Sequence, residues 1–236
     1  MKSLFLGTAV LALSASFAMA DTVRLGTEGA YPPYNFINDA GEVDGFEREL
    51  GDELCKRAEL TCEWVTNDWD SIIPNLVSGN YDAIIAGMSI TAEREEVVDF
   101  TQGYTPPSPS AYAALSADVD LTGGIIAAQT ATIQSNHVVD SGATLVEYPT
   151  PDETIAAVKA GEADAVIADK DYLEPVVEES DLMFVGEDVA LGGGIGMAFR
   201  ESDSELRGKF DAAISSMKED GTLNTLISKW EVGGTW

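Results

Sequence analysis

The sequence predicts an α/β protein built as two lobes, each a mostly parallel sheet flanked by helices. Three observations carry this prediction. Short apolar, strand-like runs alternate with amphipathic helical stretches. Two breaks rich in proline or glycine interrupt the alternation. One helix–turn–strand pattern also occurs twice: residues 75–86, NLVSGNYDAIIA, and residues 157–168, AVKAGEADAVIA, share a helix end, a glycine, two residues, Asp-Ala and an apolar strand. Gly79 and Gly161 are placed to end the helices, and Asp82-Ala83 and Asp164-Ala165 to open the strands. Of the 236 residues, those after the first twenty suit two compact lobes better than one.

The first twenty residues, MKSLFLGTAVLALSASFAMA, stand apart from the fold. Lys2 gives a positive start, Leu4 to Leu13 an apolar middle, and Ala18-Met19-Ala20 a small-residue cleavage site. This is the pattern of a secretory signal peptide cut before Asp21. Small polar residues interrupt it too soon for a membrane span, and no cysteine follows it to carry a lipid anchor. The mature chain is expected to be soluble, since no later segment is long and apolar enough to cross a membrane.

The elements then follow in order. TVRLGT reads as a strand, GFERELGDELCKRAEL as a helix, CEWVT as a strand, WDSIIPNLVSG as a helix and YDAIIAGM as a strand. In SITAEREEVVDF, Thr91 is placed to cap a helix, which puts Arg94 in the first turn. The helix dipole disfavours a cation there. Arg94 therefore either pairs with Glu93, Glu95 and Glu96 or awaits an anion. FTQGYTPPSPS, with Pro106, Pro107 and Pro109, reads as a crossing between units. Beyond it come GGIIAAQ, a helix near Ser135, ATLVEY, PDETIAAVKAG and ADAVIAD. ALGGGIGMAF is the second break, and the last stretch forms two helices divided at Gly221.

Charge and cysteine usage narrow the function. Thirteen basic against 41 acidic residues give a net charge of −28, and removing Lys2 leaves 12 against 41, or −29. Such a chain repels nucleic acid and anionic lipid. At physiological salt its field is screened beyond roughly 8 Å, so most of the charge serves solubility. Cys55 and Cys62 are the only two cysteines, and in an exported protein two so close are expected to pair. Closing that loop contributes roughly 2–3 kcal/mol in the chain-entropy model. His137 is the only histidine, which leaves no histidine-rich zinc or copper site to assemble. No metal or cofactor is expected.

In open parallel sheets, ligands bind beyond the carboxyl ends of the strands. Glu28 and Tyr31-Pro32-Pro33-Tyr34 follow the first strand, and Trp69 follows CEWVT. Gly87, Ser89 and Arg94 follow DAIIA, Thr130 to Thr132 follow IIAAQ, and Asp169 follows DAVIA. Aromatic faces, a hydroxyl, a cation, backbone N–H groups and carboxylates together suit a small zwitterion. Each has an ordinary alternative: Arg94 in surface ion pairs, Trp69 and Tyr31 as core aromatics, Asp169 as a helix cap. Their shared place at strand ends favours the site. Nucleophilic catalysis finds no G-x-S-x-G elbow and no evident partner for His137. The GGGIG of residues 192–196 lacks the Gly-Lys-Ser/Thr ending of a phosphate loop.

Across nearly the whole mature chain, the sequence resembles the periplasmic polar-amino-acid-binding proteins of ABC importers, especially the lysine/arginine/ornithine, histidine and opine receptors. GTEGAYPPYNF, GFERELGDELCKRAELTCEW, NDWDSIIPNLVSGNYDAIIAGMSITAERE, DAVIAD and EDGTLNTLISKW carry the resemblance. It implies two lobes joined by two hinge strands, with residues 21–106 and 196–236 in one lobe and 107–195 in the other. The hinges fall near Thr105 to Pro109 and Ala190 to Gly196. Arg94 would clasp a ligand α-carboxylate, helped by N–H groups of Gly87 and Thr132, and Asp169 would hold the α-ammonium with Ser89 nearby. Tyr31 and Trp69 would sandwich the side chain, and Glu28 and Glu47 would face its distal cation. Ala86 and Gly87 replace a usual serine pair, Ala131 replaces a common serine, and Ile133 stands where a polar residue often sits.

The implied function is capture of a cationic L-amino acid, lysine or arginine, by a monomeric periplasmic protein that delivers it to an inner-membrane ABC permease. No covalent chemistry is involved. A dehydratase-like enzyme of this fold, acting on prephenate or arogenate, and a ligand sensor for a membrane receptor are the alternatives.

Overall fold

The computed structural model describes residues 22–236; the predicted signal peptide lies outside the described residues. The chain enters as β1 (Val23–Thr27) and folds an antiparallel ribbon of β2 (Ala30–Tyr31), β3 (Asn35–Ile37) and β4 (Val43–Asp44). It continues through α1 (Phe46–Arg57), β5 (Cys62–Thr66), a 3-10 turn at Trp69–Ser71, α2 (Ile72–Val77), β6 (Ala83–Ile84), a 3-10 turn at Arg94–Glu96 and β7 (Asp99–Phe100). Beyond the proline-rich segment come β8 (Ser110–Ala114), β9 (Ile125–Gln129), α3 (Ile133–Ser141), β10 (Thr144–Tyr148), α4 (Pro151–Ala160), β11 (Ala165–Asp169), α5 (Lys170–Glu178) and β12 (Met183–Val189). The chain then returns for β13 (Ala198–Phe199), α6 (Ser204–Glu219) and α7 (Thr222–Trp230).

Two five-stranded sheets result, in the orders β5-β1-β6-β13-β7 and β10-β9-β11-β8-β12. Each is the floor of one lobe. The sheets are mixed rather than mostly parallel: β1 runs parallel to β5 and β6, and β9 to β10 and β11, but β13 and β8 run antiparallel to both of their neighbours. The reversed pairs involve the four strands that flank the two crossings. A strand that departs for the other lobe has no crossover helix to bring the chain back parallel. The crossings run side by side, with Tyr104 N–H donating to Ile195 C=O at 2.8 Å and Thr101 N–H to Met197 C=O at 2.9 Å.

The repeated pattern marks equivalent joints in the two lobes. Gly79 and Gly161 take φ of 82° and 75°, the left-handed conformation that ends a helix at little cost only for glycine. Asp82 accepts from Arg24 N–H of β1 at 3.0 Å, and Asp164 accepts from Ile125 N–H of β9 at 2.7 Å. Each aspartate thereby locks the start of the strand next to its own. In the first lobe, α1 buries Phe46, Leu50 and Leu54 at helical spacing. The Cys55–Cys62 disulfide ties its last turn to the first residue of β5, with the Cα atoms 6.3 Å apart. Among the described residues no helix is long and apolar enough to cross a membrane.

Candidate functional site

The carboxyl ends of β1, β5 and β6 in one lobe meet those of β9 and β11 in the other. Between them lies a small cavity walled by residues of both lobes. Glu28, Tyr31, Trp69, Ala86, Gly87, Ser89, Arg94, Thr132 and Asp169, all expected from the sequence, line it.

Arg94 enters from a single 3-10 turn rather than the α-helix expected. The N-cap position of that turn is Glu93 rather than Thr91, although Thr91 Oγ1 accepts from Arg94 N–H at 3.2 Å. The Arg94 guanidinium faces the cavity. It donates to Ser89 C=O at 2.8 Å and lies 5.3 Å from the centroid of the Trp69 ring. Burial pulls its pKa down to about 10, against the opposing fields of Asp169 and Glu93. A cation held away from water with one carbonyl acceptor has donors left for an anion.

Asp169 stands at the N-cap position of α5, yet its side chain makes no capping bond. It points into the cavity instead, where Oδ2 accepts from the Tyr31 hydroxyl at 2.8 Å and Oδ1 from Gln134 Nε2 at 2.8 Å. Burial raises its pKa to about 6, and the field of Asp171 adds to the rise, while the Tyr31 bond, Arg94 and Gln134 oppose it. Glu28 follows β1 and accepts from Gln129 Nε2 at 2.6 Å. Burial pushes its pKa up to about 7 against that bond, with Asp68 and Glu47 adding like-charge repulsion. Both carboxylates are short of positive charge.

Three expectations are corrected. Glu47 does not line the cavity. It is fully buried in the first turn of α1, where Oε2 accepts from Asn35 Nδ2 at 2.7 Å and Oε1 from Gly87 N–H at 2.6 Å and from the Tyr104 hydroxyl. Its carboxylate is occupied from within and braces the cavity wall from behind. For the same reason Gly87 N–H is not free for a ligand, although Gly87, at φ 61°, brings its backbone to the cavity. Thr132 caps α3 through a capping box, and its N–H donates to Ser135 Oγ at 3.2 Å. The N–H groups of the first turn behind it, Ile133 and Gln134, precede any partner carbonyl within the helix.

The aromatic residues do more than flank the cavity. Tyr31 stacks on Tyr172 of the other lobe at 4.5 Å and 9°, so one of its faces is covered. Trp69 Nε1 reaches across to Ala131 C=O at 3.3 Å. Ile133, which stands where a polar residue often sits in the family, also lines the cavity, as do Gln129 and Gln134, which the sequence reading does not single out. Gln129 is the last residue of β9, one position before the Thr130 to Thr132 stretch where the strand-end rule was applied. Gln134 lies on the helix that follows. Among the described residues no group of three His, Cys, Asp or Glu side chains is placed to hold a metal ion.

Two α/β lobes that enclose one small charged cavity with aromatic walls have the form of a two-lobed solute receptor. The sequence profile of the bacterial extracellular solute-binding proteins, family 3, matches residues 23–233, and the chain belongs to that family. A periplasmic His/Glu/Gln/Arg/opine family-binding protein from Silicibacter pomeroyi, solved in complex with lysine, is 75% identical. It superposes with a TM-score of 0.89 over 91% of this chain and 100% of that one. The L-arginine-binding protein of Pseudomonas aeruginosa is 35% identical over 95% of this chain and 93% of its own length. The lysine/arginine/ornithine-binding periplasmic protein of Escherichia coli is 30% identical over 97% of this chain and 94% of its own. The family and these relatives are solute-binding receptors rather than enzymes.

Proposed function

We propose that this protein captures an L-amino acid with a cationic side chain, lysine or arginine, in the periplasm and delivers it as a monomer to an ABC permease of the inner membrane. Residues 1–20 direct its export. Residues 21–106 with 196–236 act as one lobe and 107–195 as the other, hinged at Thr105 to Pro109 and Ala190 to Gly196.

The observation that carries the reading is the set of charges facing one cavity: Arg94, Asp169 and Glu28. Arg94 takes the α-carboxylate, assisted by first-turn N–H groups of α3, through charged hydrogen bonds worth roughly 1.5–3 kcal/mol each. Asp169, with Ser89, takes the α-ammonium. Glu28 takes the distal cation, and Tyr31 and Trp69 wall the aliphatic stem. A neutral side chain would leave Glu28 desolvated without a counter-charge. The lysine held by the Silicibacter pomeroyi protein and the arginine named for the Pseudomonas aeruginosa relative support the same class of ligand.

The test is calorimetric titration of refolded, ligand-free protein with the common L-amino acids. Lysine or arginine is expected to bind at least tenfold tighter than glutamine, about 1.4 kcal/mol, with glutamate weakest. Equal affinity for glutamine and lysine would refute the assignment.

A further inference from the structure

We propose that Tyr34 and Asp171 form a second clasp, outside the ligand cavity, that holds the lobes closed; this rests on the receptor reading above. The Tyr34 hydroxyl donates to Asp171 Oδ2 at 3.1 Å, across 137 positions of sequence. Tyr34 lies in the bend between β2 and β3 of the first lobe, and Asp171 in the first turn of α5 in the second. Neither residue lines the cavity.

The Tyr34 end of the contact is rigid. Tyr34 C=O accepts from Glu47 N–H at 2.8 Å, and Pro33 C=O from Phe46 N–H at 3.0 Å, which pins the bend to the start of α1. The Tyr34 ring packs edge-on against Phe46 at 6.0 Å and 88°, and the residue is 1% exposed. Burial, foremost, and the field of Asp171 push the phenol well above its usual pKa, so it stays a proton donor. Asp171 lies in the first turn of α5, where the helix dipole favours an acidic side chain.

The chemistry differs from that of the neighbouring tyrosine. Tyr31 bonds Asp169 inside the cavity, so its loss would disturb the group that receives the ligand. Tyr34 touches no cavity residue through its hydroxyl. Parting the lobes returns both Tyr34 and Asp171 to water, so their bond favours the closed form alone. A contact made only in the closed form multiplies the affinity of every ligand that requires closure by one factor, whatever its side chain. Tyr34 and Asp171 are therefore positioning residues that set affinity without setting selectivity.

The test compares wild type, Tyr34→Phe, Asp171→Ala and the double variant, each titrated with L-lysine and L-arginine and melted without ligand. Tyr34→Phe should weaken both ligands by the same factor, about tenfold, and speed dissociation, with the ligand-free melting midpoint unchanged. The double variant should bind no more weakly than the weaker single one. Asp171 also raises the pKa of Asp169, an effect present with or without the Tyr34 hydroxyl, so it cancels in the double-variant comparison. Asp171→Asn, which keeps an acceptor oxygen, should recover most of the loss seen with Asp171→Ala. Wild-type affinity in Tyr34→Phe, unequal losses for the two ligands, or additive losses in the double variant would each overturn the clasp. A lower melting midpoint at full affinity would also overturn it, by showing a structural role only. A wild type that binds neither ligand would overturn the receptor reading and the clasp with it.

Discussion

Raising the pH should weaken the binding of glutamine and leave that of lysine nearly unchanged, and Glu28 sets the size of the difference. With the lobes apart, Glu28 lies in water near its ordinary pKa of 4.5; in the closed cavity burial carries it to about 7. Closing over a neutral side chain must therefore take up a proton. The closed form binds more protons than the open one between these two values, so affinity falls as pH rises through them. The factor by which protonation favours closure is about 80 at pH 5 and about 2 at pH 7, a loss of about 40-fold, or about 2 kcal/mol. Lysine places an ammonium beside Glu28, which keeps the carboxylate ionised and removes the dependence. In the proposed pose Asp169 and Arg94 would meet the same ammonium and carboxylate in both ligands, so their contributions would cancel in the ratio. Calorimetry at pH 5, 6 and 7, in buffers of different ionisation heat, reads both quantities. Glutamine should take up about 0.9 proton at pH 6 and lysine almost none. Parallel pH profiles, or no proton uptake with glutamine, would refute the role of Glu28. In a Glu28→Gln variant the two profiles should coincide.

Arg94→Ala and Asp169→Asn should each weaken every L-amino acid by more than about a hundredfold, because each strands one charged end of the zwitterion in a dry cavity; a titration in which either variant keeps wild-type affinity for any of them would refute the assignment. Glu47→Gln should lower the unfolding free energy by about 1–3 kcal/mol, since it disturbs three buried hydrogen bonds, while the lysine-to-glutamine affinity ratio stays put. A ratio that falls as far as in Glu28→Gln would return Glu47 to the ligand. Replacing Cys55 and Cys62 together by serine should cost roughly 2–3 kcal/mol of stability in denaturant melts and leave lysine affinity intact, because the bridge ties α1 to β5 away from the cavity.

The alternation of helices and strands, the Gly-x-x-Asp-Ala joints and the place of the site were legible because each is written in adjacent residues. Arg94 was found by a local conflict, a cation where a helix start disfavours one. The mixed sheets were not legible, since nothing within β8 or β13 says that the chain arrived from the other lobe. Partnership was not legible either. Gly87 N–H lies 40 positions from Glu47 and the Tyr104 hydroxyl 57 positions from it, so residue type alone made Glu47 and Glu28 look alike.

What separates the acids is how many donors the fold itself supplies. A carboxylate can accept about four hydrogen bonds, and a buried one that lacks donors is held protonated or waits for a cation. Glu47 receives Asn35, Gly87 and Tyr104, all from its own lobe; these bonds oppose the rise that burial imposes on its pKa, and they do so without a ligand. Glu28 receives only Gln129, and that from the opposite lobe, so the bond is lost on opening. Asp169 lies between, with Gln134 from its own lobe and Tyr31 from across the cleft. The two acids that draw a donor from across the cleft are also the two that face the cavity with pKa values raised to about 7 and about 6. An empty closed form is thus penalised at neutral pH by the groups that a diammonium ligand would satisfy. On the proposed function, closure and recognition of a cationic amino acid would then follow from one electrostatic deficit.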